Sequence, residues 1–476
     1  MSQPWGDAPP SERDRRSYAD AEPQPFWLDR GEAPEAQPAL SGRGDADLAI
    51  VGGGLSGLWA AILAKERDPA RDVVLLESET AGHGASGRNG GFILSSLTHG
   101  ISNGLSRLDP GDVETLERLG RENLAETAAT LERLGIDCDL ELTGDVLVAL
   151  EPYEEDELAT EAAVLSRFGH DVELLDRAAV RAELDSPTYR AGLWVKSSGG
   201  IVDPARLVWG LRRAGLELGV RIHERTRVSG IARRGGGVEL RADGGTVAAS
   251  RALLATSAYR SPVGAVRRRI VPVYDYVLVT EPLSAAQREA IGWPRRQGFG
   301  DGANQFHYYR LTADDRILWG GYDAVYHYAR RIAPELEQRD ATFAMLAKHF
   351  FITFPQLEGI RFSHRWAGAI DTCSRFFAFY GTSHGGTVSY VAGHTGLGVG
   401  ASRFGARVAL GLLDGDLDPR IPARYLRSRP LPFPPEPLRW AAIQLTRNRL
   451  AAADRNQGRR GAWLRLLDRL GLGFDS

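Results

Sequence analysis

Asp47-Leu48-Ala49-Ile50-Val51-Gly52-Gly53-Gly54-Leu55-Ser56-Gly57, read with Val73-Val74-Leu75-Leu76-Glu77, decides the fold. Leu48 to Val51 is a short apolar run of the kind that forms a buried parallel strand. Gly52 permits a tight turn, Gly54 lets the backbone approach a pyrophosphate, and Gly57 lets the next helix pack on the strand. Leu55 to Glu66 reads as that helix, with Leu55 and Ser56 in its first turn and its N-terminus aimed at the phosphates. Glu77, followed by Ser78, ends the second strand about 20 residues past the last glycine, where an acid holds a ribose hydroxyl. A glycine-rich turn without ligand is the plain alternative. Strand, glycines, helix, strand and acid in this order argue instead for an ADP-containing dinucleotide.

Glu77 disfavours the extra phosphate of NADP. The next segment separates NAD from FAD. Gly82-His83-Gly84-Ala85-Ser86-Gly87-Arg88-Asn89-Gly90-Gly91-Phe92 is a backbone-rich, hydrogen-bonding loop directly after the second strand. An NAD domain has no use for it there. A flavoprotein has, because pyrophosphate and flavin both run past that edge.

These motifs resemble those of the glycine/D-amino-acid oxidase (DAO) superfamily of FAD enzymes, most of all the gamma-glutamylputrescine oxidoreductase branch. The likeness runs from about Phe26 to about Gly415, and includes Gly199 to Pro204, Tyr308 to Thr312, Gly320-Gly321, Trp366-Ala367-Gly368 and Gly393 to Gly400. It implies an α/β (overall α+β) chain in which a Rossmann-like FAD-binding domain is interleaved with an antiparallel-sheet substrate domain. It also implies that Val228, in Thr226-Arg227-Val228, passes beside the adenine. Thr256, in the apolar run Ala252 to Ser257, would end near the dinucleotide. Gly396-Leu397-Gly398 would open a helix toward the flavin pyrimidine ring. Its free N–H groups and positive dipole end would stabilise the charge of the reduced ring. The plain alternative there is a tight strand-to-helix turn. Relatives that bind FAD through histidine carry it near the first glycine loops, where this chain has Arg88 and Asn89 after His83; Cys373 is displaced from the position of linking cysteines. Noncovalent FAD is therefore expected, with Cys373 a packed residue.

Two domains are the natural expectation for 476 residues. A net charge of −3 recruits no nucleic acid. Cys138 and Cys373 are the only cysteines, far apart, which disfavours a structural disulfide or a cysteine-based metal site. No apolar run is long enough to span a bilayer and no signal core opens the chain, so the cytoplasm is the default. Residues 1–44, rich in Pro, Ala, Glu and Gly, read as a mostly disordered arm, with Phe26-Trp27-Leu28 packed on the body. Residues 45–106, 199–268 and 370–415 are assigned to the FAD domain, 107–198 and 269–369 to the substrate domain. Residues 416–476 read as a basic, amphipathic helical extension. That extension is expected to pack on its own body or a second subunit, with contact to an anionic membrane the lesser alternative.

The resemblance implies a reaction that asks little of side chains. A neutral amine places its alpha C–H against flavin N5, hydride leaves, the imine hydrolyses, and O2 or another acceptor reoxidises the flavin. The protein supplies placement, electrostatics and exclusion of solvent. The expected pocket is aromatic-walled, and the candidates are His307, Tyr309, Arg310, Tyr322, His327 and Trp366, with Tyr308, Tyr326, Tyr328 and Asp371 beside them. Strand alternation puts His307 and Tyr309 on one face, Tyr308 and Arg310 on the other. Each has a plain reading too: a packed histidine, a core tryptophan, an arginine paired on the sheet surface. The D-amino-acid oxidase pattern Tyr-Asp-x-x-Arg-x-His-Gly-Gly is missing, which favours a larger amine or N-substituted amino acid as substrate. A monooxygenase fed by NAD(P)H and a noncatalytic flavin-binding protein are the alternatives. The first lacks a convincing later Gly-Asp segment, and the second leaves the Gly396 helix start without a job.

Overall fold

The computed structural model describes residues 4–6, 8–470 and 472. Gly42–Val51 lies between Val73–Leu76 and Gly245–Leu254, parallel to both. Arg221–His223 and Val388–Ala392 extend this parallel core, and Phe379–Ser383 closes one edge antiparallel. Gly237–Ala242 and Val228–Arg234 add a hairpin-like flap to Gly245–Leu254. Leu48 to Val51 and Val73–Leu76 are buried, Leu48, Ile50, Val73 and Leu75 under the helices and Ala49, Val51, Val74 and Leu76 under the flap strand that carries Val238 and Leu240 and the segment 263–270. Helix Leu55–Arg67 packs against helices Gly398–Asp414 and Pro204–Glu217.

A second eight-stranded sheet runs in the order Phe362–Thr372, Val271–Thr280, Ile317–Gly321, His307–Leu311, Gly298–Asp301, Asp145–Ala149, Ala191–Val195, Val172–Leu175. It departs from the all-antiparallel expectation at one place: Gly298–Asp301 runs parallel to Asp145–Ala149. A parallel neighbour needs a long crossover, and the chain supplies one by returning to the first sheet between these strands. Phe92–Leu94 and Gly199–Ile201 form a small ribbon of their own.

The N-terminal arm departs from expectation more sharply. Ser11 caps helix Glu12–Ser17 in a reciprocal capping box, and Trp5, Tyr18, Phe26 and Trp27 are buried. The Lys348 amine donates to Gly6 O at 2.8 Å and Ala8 O at 2.6 Å. The composition resembled a disordered segment, but four large aromatic side chains give the arm enough apolar surface to dock. The first strand also starts at Gly42, ahead of Asp45, because Gly42 and Gly245 lie flat together; a Cβ on Gly245 would meet Gly42 O at 1.8 Å. In the extension, helices Leu438–Asp454 and Ala462–Arg469 form. Residues 1–3 and 7 of the arm and 471 and 473–476 of the extension lie outside the described residues. Among the described residues no helix is long and apolar enough to cross a membrane.

Candidate active site

The nucleotide end is built from backbone. Gly52 sits at φ +112°, and a Cβ there would stand 2.3 Å from Ala255 O. A Cβ at Gly57 would stand 1.9 Å from Gly52 O, so only glycine lets the helix approach the turn. Gly54 is the N-cap of Leu55–Arg67 and gives no side-chain cap; Leu55 N–H donates to Ser86 Oγ at 3.0 Å. The orphan N–H groups of this first turn are what a pyrophosphate requires. Glu77 is held where a ribose acid belongs: Gly53 N–H donates to Oε2 at 2.5 Å, Glu79 N–H to Oε1 at 2.9 Å, and the Ser78 hydroxyl to Oε1 at 3.1 Å. Burial raises the Glu77 carboxyl above its ordinary value, against these bonds. Val228, half-buried, opens the strand that follows Thr226, whose N–H donates to Glu77 O at 2.7 Å. Thr256, also half-buried, accepts from Tyr259 N at 3.0 Å, and the Tyr259 ring packs against Gly84.

The loop Gly82 to Phe92 is held from three sides. Asn89 works inward: Nδ2 donates to Ala85 O at 3.0 Å and Ser86 O at 2.9 Å, and Oδ1 accepts from Gly91 N at 2.8 Å. Gly87 packs on Gly82 O and Leu28. Trp27 Nε1 donates to Asn89 O and Trp366 Nε1 to Arg88 O, each at 2.9 Å. Arg88 pairs with Glu337 at 2.5 Å and donates from Nε to His83 O at 2.7 Å. Arg310 is fully buried behind the loop, donating from Nη1 to Val202 O at 2.7 Å and Gly91 O at 3.3 Å; burial lowers its guanidinium to about 10.

The third segment is the turn into helix Gly398–Asp414, which no side chain caps. An added Cβ at Gly396 (φ +93°) meets nothing within 4 Å, whereas one at Gly400 would strike Leu94 O at 1.9 Å. Leu397 N–H is spent on His394 O at 3.1 Å. His394 lies between Ser56 Oγ at 3.5 Å and Asp371 Oδ2 at 3.6 Å. Cys373 is fully buried, its thiol donating to Phe377 O at 3.3 Å, and burial pushes its pKa up. The uncapped helix starts, the acid and the glycine cradle together fit an FAD.

Strand alternation splits the second sheet into two unlike faces. One face is stripped: Gly298, Gly300, Gly320 and Gly368 belong to it. A Cβ at Gly320 would stand 2.5 Å from the Tyr308 ring and one at Gly298 2.3 Å from the Phe92 ring. Tyr308 rises from this floor, packs against Gly90 and Phe92, and donates its hydroxyl to Asp275 Oδ2. Burial raises the Asp275 carboxyl to about 6, although the Tyr308 hydrogen bond pulls it down. On the opposite face His307 and Tyr309 are closed into the core. His307 Nδ1 bonds Asp301 Oδ2 at 2.8 Å and its Nε2 bonds His349 Nδ1 at 2.9 Å; Tyr309 bonds Tyr189 hydroxyl to hydroxyl at 2.5 Å.

The expected substrate residues therefore separate. His307, Tyr309 and Tyr322 sit on the face away from the glycine loop, Tyr322 against His349 at 4.6 Å between ring centroids. The faces of His307 and Tyr309 follow from alternation, and Trp319 packs on both rings; Tyr322 lies just past the end of its strand, where left-handed backbone at φ +66° turns its ring inward. Trp366 and Arg310 touch the cofactor loop as supports from behind, with no exposed surface for a substrate. His327, half-buried, stands edge-on to Tyr274 at 5.1 Å. Asp275 was not among the expected residues. Its signal was present: a lone carboxylate inside the apolar run Val271-Pro272-Val273-Tyr274-Asp275-Tyr276-Val277.

Comparison with known proteins agrees with this geometry. The DAO family pattern, described as FAD dependent oxidoreductase, matches residues 47–410. The chain is 28% identical over 389 residues to a probable oxidoreductase OrdL of Haemophilus influenzae, covering 80% of this chain and 85% of that one. It is 30% identical over 376 residues to gamma-glutamylputrescine oxidoreductase of Escherichia coli, covering 78% and 84%. Among solved structures, glycine oxidase from Geobacillus kaustophilus superposes with a TM-score of 0.67 at 21% identity, over 81% of this chain and 99% of that one, a likeness of fold.

Proposed function

Because the chain belongs to the DAO family of FAD-dependent oxidoreductases, we propose that it oxidises a C–N bond of an amine or N-substituted amino acid, giving an imine that hydrolyses to an aldehyde or keto product. FAD, when bound, supplies the two-electron acceptor. Gly52, Gly54, Leu55, Ser56 and Gly57 would hold its pyrophosphate and Glu77 its ribose. The loop Gly84 to Gly91 and the turn Gly396 to Gly398 would flank the ring. The buried thiol of Cys373, tied to a backbone carbonyl, supports noncovalent binding.

The observation that carries the reading is the Asp275–Tyr308 pair on the glycine floor beside Gly90. A carboxylate there can hold a protonated amine and accept its proton, leaving the neutral amine that oxidation requires. Tyr308 fixes the carboxylate by donating to Oδ2, and the backbone N–H groups of Tyr276 and Gly321 also support its charged form. The glycines of the floor let the Tyr308 and Phe92 rings lie close against the sheet. Asp275 must be ionised for this, so kcat/KM falls as pH drops through about 6. Trp366, Trp27, Arg310 and Asn89 position the cofactor loop. They do not touch the substrate.

Anaerobic mixing of the purified yellow protein with putrescine derivatives, N-methyl amino acids, D-amino acids and aromatic amines tests the proposal. Bleaching of the flavin band by an amine, without NADPH, is the expected result, and re-admitting air then tells oxygen from another acceptor. Bleaching by NADPH and by no amine would overturn it in favour of a monooxygenase.

A further inference from the structure

The family match ends at residue 410, and the chain goes on to build helix Leu438–Asp454. This helix does not hang free. Near its middle, Arg447 forms a two-pronged ion pair with Asp323, Nε to Oδ1 at 2.6 Å and Nη2 to Oδ2 at 2.8 Å. Asp323 is buried and also takes Arg339 at 2.8 Å. At its last residue, the Asp454 carboxylate accepts from Asn304 N at 2.9 Å, Asn304 Nδ2 at 2.6 Å and Gln305 N at 3.0 Å. One helix thus grips two loops, 302–306 and 322–330.

Both loops border the stripped face. Phe306, next after Gln305, has its ring 6.4 Å from that of Tyr308. Its carbonyl accepts from Tyr322 N at 2.7 Å and so ties the loops together. The second loop starts directly after Gly321, whose backbone N–H bonds the Asp275 carboxyl, and its Asp323 acts on that carboxyl electrostatically. Three non-glycine residues of this loop hold left-handed backbone: Tyr322 at φ +66°, Ala329 at +62° and Arg330 at +60°. Such conformations persist where surrounding contacts over-determine them, and the extension supplies part of those contacts: Glu436 accepts from Ala329 N at 3.2 Å and from the Tyr326 hydroxyl at 2.5 Å, and Gln444 donates to Tyr326 O at 3.3 Å.

We propose that helix Leu438–Asp454 is a specificity element of the active site: Arg447 and Asp454 hold the two loops at the edge of the stripped face and thereby set the size of amine that reaches Asp275 and Tyr308. This rests on the amine-oxidising reading above. Arg447 and Asp454 are positioning residues that act through Phe306 and the 322–330 loop.

The test is the full-length double variant R447M/D454A, read by hydrogen exchange of 302–306, 322–330 and 438–454 and by steady-state kinetics over primary amines and N-acylated diamines of increasing length. Exchange rises in all three segments, and the preference between the best and the bulkiest amine flattens on the order of tenfold through KM, with kcat for the best amine little changed. Faster exchange with an unaltered size preference overturns the proposal. So does unaltered exchange, since these two residues are its anchors. If no amine reduces the native enzyme, the functional reading fails by itself. Access to the cofactor is then read by acrylamide quenching of flavin fluorescence, where equal quenching in the native and double-variant proteins overturns the role of helix Leu438–Asp454 as well.

Discussion

The two faces of the second sheet each carry an acid beside an aromatic residue, and their surroundings are opposite. On the inner face Asp301, His307 and His349 form a chain of hydrogen bonds sealed by Trp5, Trp319 and Tyr322. Burial, and then the neighbouring His307, drive the His349 pKa well below its ordinary value, so this ring stays neutral. On the outer face Asp275 and Tyr308 stand on four glycines next to the cofactor loop.

Removing the outer acid is the strongest way to break this contrast. D275N is expected to lower kcat/KM for the preferred amine on the order of a hundredfold, the scale on which an unpaired buried charge acts, with flavin content retained; kinetics and the visible spectrum check both. A variant as active as the native enzyme would erase the distinction between the faces. Y308F sharpens it. The Tyr308 hydrogen bond lowers the Asp275 pKa from where burial alone would put it, so its loss moves the acidic limb of the kcat/KM profile from about 6 to higher pH, with turnover at neutral pH reduced about tenfold, the value of one donor hydrogen bond to a charge.

The inner face should answer in stability alone. D301A leaves two His307 donors without an acceptor, which costs about 1–3 kcal/mol, seen as a lower Tm in calorimetry with kcat unchanged. A large loss of turnover at native stability would mean that the inner face takes part in the chemistry. Y309F is the mildest change. It removes one hydroxyl pair with Tyr189 and is expected to cost about 1 kcal/mol in denaturant unfolding, again without effect on the amine reaction.

Much of the cofactor end was legible in the sequence because its requirements are local. A turn at φ +112°, or a helix packed so close that a Cβ at Gly57 would stand 1.9 Å from a carbonyl, demands glycine at a fixed position, and the spacing Gly52, Gly54, Gly57 records that demand directly. The substrate end was legible only as a set of strands. The alternation expected of residues 307–310 is that of strand His307–Leu311. The packing of Phe26-Trp27 was expected, but the arm before it was misjudged, because composition averages over a segment while docking depends on a few large side chains such as Trp5 and Tyr18.

By itself, then, the sequence determined the dinucleotide fold, the cofactor class and the alternation that divides Tyr308 and Arg310 from His307 and Tyr309. Only the tertiary structure decided which of those sets meets the cofactor loop, that Asp275 joins it, and that the C-terminal helix reaches the loops beside it. The physical reason is that alternation has period two and no sign. Which side of a strand faces a ligand is set by what packs on the other side, here helix Asp340–Thr353 and the N-terminal arm, elements remote in the chain from the strands they cover.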